Sequence, residues 1–190
     1  MILKRLRSET QAQHSALESR IPLMDPAFSL ADYRRLLARF YGYYVPLEAR
    51  LLAWSKAEAR GIDYAERVKV PELERDLIAL GDTAETIARL PRCAALPALT
   101  MEAEGLGCLY VVEGSTLGGQ VITRQLLKSL GLTAENGVAF FNGYGAETGP
   151  RWKAFGTWLE EGAARLDQDD AIIAGANETF RTLGDCLFAK

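Results

Sequence analysis

The sequence LYVVEGSTLGGQ, residues 109–120, places three glycines inside a pattern that is otherwise helical. Apolar residues recur every three or four positions on both sides of Gly114, Gly118 and Gly119, which predicts one helix from Leu106 to Leu130. Each interior glycine costs a helix about 1 kcal/mol relative to alanine. Two arrangements offset that cost: another helix packed closely on the glycines, or a flat ligand lying on bare backbone. The glycines alone leave both arrangements open.

The composition predicts a single domain over residues 1–190 that does not bind nucleic acid. The net charge is −3, whereas proteins that bind nucleic acid or anionic membranes carry strongly basic surfaces. No apolar run is long enough for a membrane span or a secretory leader, so we expect no membrane partner.

Three cysteines, Cys93, Cys108 and Cys186, restrict the class further. Their number is odd and no two share a C-x-x-C spacing, which argues against a disulfide framework and against a zinc site. Free thiols are typical of a reducing compartment, so the sequence predicts a cytoplasmic location.

The rest of the chain predicts an all-α fold of roughly seven or eight helices. Apolar positions spaced by three and four predict one helix from Leu3 to Ile21. A capping-box pattern at Ser29 opens a second helix that Pro46 should kink or restart. The glycine-rich loop after Gly131 carries aromatic residues at 140 and 141, so we expect it to fold back onto the core.

His14 is the only histidine of the chain, and this excludes several mechanisms. A di-iron bundle needs two Glu-x-x-His units, and no Ser-His-Asp context accompanies His14. One histidine can still serve as the axial ligand of a haem iron. Glu18 lies one helical turn later and suits the carboxylate that orients such a ligand. The alternative is a hydrogen-bonded core histidine in an ordinary helical pair, which these two residues do not exclude.

Three runs of sequence carry a resemblance to a known family. Residues 13–18 resemble the proximal helix of bacterial biliverdin-producing haem oxygenases, and residues 109–120 resemble the distal helix. Residues 140–155 are similar to a later segment of the same family. The resemblance implies a helical bundle in which haem lies between the proximal helix and the glycine-rich distal helix.

The resemblance also implies which residues hold haem. His14 would be the axial metal ligand, with Glu18 as the hydrogen-bond partner of its imidazole. Arg7, one heptad before the ligand, matches a contact to a haem propionate. Lys153 would supply another, with Arg151 as a less specific candidate; both can equally form a solvated basic face.

For the catalytic side, the resemblance points to the distal run. Gly114, Gly118 and Gly119 would let this helix bend and close over haem. Ser115 stands where animal members of the family have an aspartate that orders water. A hydroxyl donates and accepts but carries no charge, so the water network must be arranged differently here, with backbone groups exposed at the glycines as one candidate. Ser115 is therefore a catalytic candidate together with the three glycines.

The implied reaction opens haem with O2 and externally supplied electrons, giving biliverdin, carbon monoxide and Fe2+. No dinucleotide or flavin fingerprint is present, so a partner reductase or ferredoxin must deliver the electrons. Iron release and bilin supply to a bacteriophytochrome both remain open as purposes. Two alternatives remain: a non-catalytic haem or tetrapyrrole carrier of the same fold, and an all-α interaction module without a cofactor.

Overall fold

The computed structural model describes residues 1–23, 25–56 and 60–189, and it confirms the all-α prediction. Within these ranges there are nine α-helices, two short 3-10 turns and no β-strand. The helices are α1 (Ile2–Glu9), α2 (Gln11–Glu18), α3 (Leu30–Ser55), α4 (Val70–Ala79), α5 (Ala84–Ala88), α6 (Glu102–Leu130), α7 (Ala139–Asn142), α8 (Thr148–Leu166) and α9 (Asp169–Leu187). No helix in the described ranges is long and apolar enough to cross a membrane.

The predicted glycine-bearing helix is α6, and it runs through the centre of the fold. It packs chiefly on α9, with α8 and α7 on its other sides. Gly131 ends it in the left-handed conformation with φ of 68°, as a helix-terminating glycine does. A continuous set of buried side chains surrounds α6, including Leu37 and Leu47 of α3 and Phe155 of α8.

Two glycines that the motif does not include allow α6 and α9 to approach closely. A Cβ at Gly107 would overlap the carbonyl oxygen of Ile172 and lie 2.6 Å from the amide nitrogen of Ala176. A Cβ at Gly175 would lie 2.7 Å from the carbonyl oxygen of Glu104. Backbone therefore meets backbone at this crossing, and glycine is required on both helices.

Substituting Gly107 with alanine is expected to destabilise the protein by about 3 kcal/mol, the upper end for an overpacked core, because main-chain atoms oppose the new methyl group. The melting temperature should fall by roughly 6–12 °C. Urea and thermal unfolding followed by circular dichroism measure both quantities. Gly118→Ala is the matched control: its Cβ would enter open space, so that variant should be slightly stabilised. Equal stability of the two variants would show that the backbones of α6 and α9 leave room for a methyl group at position 107.

The single N-terminal helix predicted from Leu3 to Ile21 is wrong in one respect: it is divided at Thr10. The Thr10 hydroxyl and amide both donate to the carbonyl oxygen of Leu6, at 2.8 and 3.0 Å. A side chain that competes for a helical carbonyl in this way bends or interrupts a helix. The division separates α1, which packs on α8 and α9, from α2, which packs on α9 and carries His14.

The second predicted helix, α3, begins as expected and continues through its proline. Ser29 and Asp32 form the capping box at its start. Pro46 lies inside the helix, which is not restarted there and ends at Ser55.

The loop after α6 folds back onto the core, as predicted. Phe140 and Phe141 are buried in the short helix α7. The Asp76 carboxylate of α4 accepts the amide protons of Ala139 and Phe140, at 2.7 and 2.8 Å. Burial raises the pKa of Asp76 to about 6, against the effect of these two hydrogen bonds. The loop is therefore held to α4 as well as to α6.

The expectation of no disulfide is wrong for two of the three cysteines. Cys93 and Cys186 are paired, with Cα atoms 5.8 Å apart, an ordinary separation for a disulfide. They join the segment after α5 to the end of α9. Sequence spacing could not show this, because 93 positions separate the two cysteines and only the fold brings them together. Cys108 is buried and free.

Candidate active site

One face of α6 carries the glycines and is largely uncovered. At about 100° per residue, Tyr110, Gly114, Leu117, Gly118 and Val121 share this face, which we call the glycine face. Leu117 and Val121 are 43% and 57% exposed, and a Cβ built on Gly118 meets nothing within 4 Å. Gly114 and Tyr110 are half-buried. An exposed apolar strip beside bare backbone is suited to a flat apolar ligand.

Gly119 does not belong to the glycine face. It is buried on the opposite side of α6, where a Cβ would overlap the carbonyl oxygen of Phe141 in α7. The two arrangements that the sequence left open are thus divided between neighbouring glycines. Gly119 allows close packing of α7, and Gly118 leaves the backbone bare. We therefore assign Gly119 to packing and not to the catalytic face.

His14 lies on α2 with its imidazole about half exposed, at 46%. Its Nδ1 atom faces Glu18 Oε2 at 3.4 Å, and its ring meets the edge of Phe180 of α9 with 5.7 Å between centroids. A neutral imidazole that directs Nδ1–H to this carboxylate keeps its lone pair on Nε2. Nε2 is then the atom available to a metal, with Glu18 and Phe180 fixing the ring.

Tyr110 of α6 lies close to Thr10, the residue that separates α1 from α2. Burial raises the pKa of Tyr110, and this effect is opposed by a hydrogen bond with Thr10 and by the positive charge of Arg7. Thr10 therefore lies beside the Tyr110 hydroxyl, and the charge of Arg7 acts on it from α1. From this contact, His14 is one turn further along α2 and Gly114 one turn further along α6.

The two basic candidates lie on adjoining helices. Leu3 of α1 faces Gly156 of α8, where a Cβ would be 3.1 Å from its methyl carbon. One turn later on α1 is Arg7, whose charge acts on Tyr110 of α6. The Tyr110 ring is 6.1 Å from that of Trp152 on α8. Lys153 is the next residue, and the side chains of Arg7 and Lys153 are both exposed. Arg7 and Lys153 are therefore exposed cations on two helices that contact each other, α1 and α8.

Ser115 lies at the edge of the glycine face and is exposed. Its hydroxyl donates to the carbonyl oxygen of Val112 at 2.8 Å. Burial raises the pKa of the Tyr44 phenol on α3, and a hydrogen bond with the Ser115 side chain opposes this effect. The hydroxyl groups of Ser115 and Tyr44 therefore lie close to each other. No local signal in the sequence distinguishes Tyr44 from the other aromatic residues of α3.

A second group that sequence reasoning missed lies under the motif. Glu113 is buried and contacts Arg67, Lys69 and Tyr144. The sequence LYVVE, in which one carboxylate follows four largely apolar residues, is the signal that could have identified Glu113. Arg151, the less specific basic candidate, stacks on the Tyr144 ring at 4.5 Å and is engaged in this region.

The residues present fit a haem. The Nε2 lone pair of His14 suits an iron, and the bare backbone at Gly118 suits a flat ring. The two exposed cations suit the carboxylate side chains of haem. Among the described residues, the Oδ1 atom of Asn177 is also buried without a hydrogen-bond partner. It lies on α9 three positions before the phenylalanine that contacts His14, where a bound ligand or water can satisfy it.

Comparisons with known proteins identify the family. The family model described as Heme oxygenase matches residues 1–188. A heme oxygenase from Xanthomonas campestris pv. campestris is 33% identical over 165 residues, covering 83% of this chain and 90% of that protein. Heme oxygenase PigA from Pseudomonas aeruginosa is 28% identical over 185 residues, covering 97% and 90% of the respective chains. The structure of heme oxygenase from Leptospira interrogans matches with a TM-score of 0.81 and 19% identity, covering 98% of both chains. The chain belongs to the haem oxygenase family.

Proposed function

We propose that this protein holds haem between His14 of α2 and the glycine face of α6 and opens the ring to biliverdin, carbon monoxide and Fe2+. As a member of the family it is an oxidoreductase with haem oxygenase function. The residue assignments rest on two surfaces, each of which begins one helical turn from the contact between Thr10 and Tyr110. One offers an oriented imidazole, and the other an uncovered apolar face with bare backbone at Gly118.

His14 and Glu18 act on the proximal side. Glu18 accepts Nδ1–H, which fixes this tautomer and aims Nε2 at the iron. A neutral histidine donates less electron density to the iron than a thiolate does, so it favours cleavage of the O–O bond less strongly. Arg7 and Lys153 bind the propionates as charged hydrogen-bond donors and fix the rotation of the ring in its plane.

The distal side is formed by α6. Gly118 lets the ring lie against the backbone, while Leu117 and Val121 exclude water from the edge of the face. Ser115 and Tyr44 together hold a water molecule that donates a proton beside bound O2. Haem supplies the iron that binds O2 and is itself the substrate. The chain carries no nucleotide-binding fingerprint, so we assign electron delivery to an external reductase or ferredoxin.

A non-catalytic carrier of the same fold would use the same two surfaces. Family membership favours the enzyme, because the relatives above are named as oxygenases. The experiment is to incubate the haem complex with a ferredoxin–reductase system and catalase. We expect the Soret band to disappear, with one equivalent each of biliverdin and carbon monoxide. A stable Soret band, or ring loss that catalase suppresses, would contradict the proposal.

Glu18→Gln is expected to lower the iron–histidine stretching frequency, since an amide accepts the Nδ1 proton more weakly than a carboxylate does. Turnover should fall by about tenfold. Resonance Raman spectroscopy of the ferrous complex measures the frequency. Glu9→Gln is the matched control, because Glu9 pairs with Arg5 on α1. A frequency unchanged from wild type would mean that another group orients His14.

The cellular context is also part of the proposal. We propose a cytoplasmic location because reduced electron carriers are available there; the pairing of Cys93 with Cys186 removes the earlier argument from free thiols. We also propose one domain over residues 1–190, supported by the family match to residues 1–188. Product chromatography identifies the biliverdin isomer. Adding an apo-bacteriophytochrome then tests bilin transfer against simple iron release.

A further inference from the structure

The carboxylate of Glu113 lies directly before the glycine face and is only 1% exposed. Its Oε2 atom is 2.5 Å from the guanidinium of Arg67, and its Oε1 atom accepts from the Tyr144 hydroxyl at 2.9 Å. The ammonium of Lys69 is 3.5 Å from the same Oε1. We call these four side chains the Glu113 cluster. It connects α6 to the segment before α4 and to the loop after α7.

Lys69 is buried within the cluster and its ammonium is fully engaged. Nζ donates to the Tyr144 hydroxyl at 2.7 Å and to the Arg67 carbonyl at 3.1 Å. The main-chain amide of Lys69 donates to Glu48 of α3 at 2.5 Å. Burial lowers the pKa of Lys69, and the charges of Glu113 and Glu48 oppose this effect. Two cations are thus balanced by two carboxylates.

Stability alone does not account for such a group. Desolvating buried ions costs several kcal/mol each, and apolar replacements of similar volume are often as stable. In some proteins a buried ionic or polar network instead fixes a single arrangement of the elements that it joins. The hydroxyl of Thr116 also donates to the Glu113 carbonyl at 2.6 Å. A Cβ at Gly143 of the loop would lie 3.4 Å from Thr116. Both side chain and main chain of Glu113 are therefore fixed.

The fixed residue is adjacent to the part of α6 that glycines make deformable. Gly114 and Gly118 impose few conformational limits, so the glycine face needs an external restraint to keep one rotation and distance. We infer that Glu113 is a positioning residue for haem oxygenation: the Glu113 cluster holds the glycine face at its working distance from the ring. Glu113 touches no substrate in this role, which rests on the proposed function.

The test is Glu113→Gln, which keeps the shape and leaves two cations opposed by one carboxylate. In haem-free protein, the amides of residues 114–119 should exchange with deuterium at least about tenfold faster, as local opening becomes easier. In the ferrous carbon monoxide complex, the C–O stretching band should shift and broaden, since it reports the distal contacts. Turnover should fall at least about tenfold while haem affinity changes less than threefold. Glu102→Gln is the control, because Glu102 lies at the start of the same helix as Glu113 and forms a partly exposed ion pair with Arg165 of α8.

Tyr144→Phe keeps the test decisive if Glu113→Gln does not fold. It removes the hydroxyl contacts and leaves every charge in place, so a smaller shift of the same C–O band is expected. Unchanged exchange and an unchanged band in a folded variant would overturn the inference. If the wild-type protein fails to open haem, the proposed function fails, whereas amide exchange still decides whether Glu113 restrains this turn.

Discussion

Replacing His14 with alanine is expected to abolish the native axial ligation and to reduce turnover by at least about a hundredfold. The sole histidine of the chain is removed, and no other imidazole can take its place. The fold should survive, because the side chain is half exposed and α2 buries none of its residues. Resonance Raman spectra of the ferrous complex should lose the iron–histidine band. Biliverdin formation with the ferredoxin system gives the rate.

Exogenous imidazole provides the sharpest control for this variant. A small imidazole can enter the space that His14 leaves, so millimolar imidazole should restore a nitrogen-ligated spectrum in His14→Ala. Gln13→Ala on the same helix should behave like wild type. If His14→Ala keeps the wild-type Raman band and turnover, the iron is held elsewhere.

Replacing Gly118 with leucine is expected to separate stability from haem binding. In the haem-free protein the new side chain enters open space, and removing a helical glycine should stabilise α6 by about 1 kcal/mol. The melting temperature should therefore rise by about 2–4 °C. In the haem complex the same side chain would occupy the surface of the ring. A steric cost of about 1–3 kcal/mol would weaken binding by roughly 5- to 150-fold.

Haem titration by absorbance and thermal unfolding of the apo-protein measure the two effects. Ser129→Leu is the matched control, because it adds an exposed leucine to the same side of α6 about three turns further along the helix, beyond Val121, the last residue of the glycine face. Its haem affinity should equal that of wild type. Unaltered affinity and turnover in Gly118→Leu would show that the ring does not lie on this backbone.

The elements that sequence periodicity predicted well are those whose determinants are local. Helix α6 is stopped by Gly131, and the capping box at Ser29 starts α3, because each signal acts within one turn. The pairing of His14 with Glu18 is likewise an effect of helical spacing. Local patterns were therefore sufficient for the fold class and for the candidate axial ligand.

What could not be predicted depends on contacts between distant segments. Gly118 and Gly119 are neighbours in a glycine motif, yet only the position of α7 shows that one is bare and the other packed. The Cys93–Cys186 pair joins segments 93 positions apart. Glu113 acquires its partners from two other segments of the chain. Contacts of this kind produce no periodic pattern in the sequence, because they form only in the tertiary fold.

A crystal structure of the haem complex tests most directly whether the ring lies between α2 and α6. The distances to measure are from the iron to Nε2 of His14 and from the ring plane to the Cα atom of Gly118. We predict that Nε2 lies within bonding distance of the iron and that Gly118 is in van der Waals contact with the opposite face of the ring. An iron ligated by any other residue, or a ring that contacts neither α2 nor the glycine face, would contradict this arrangement.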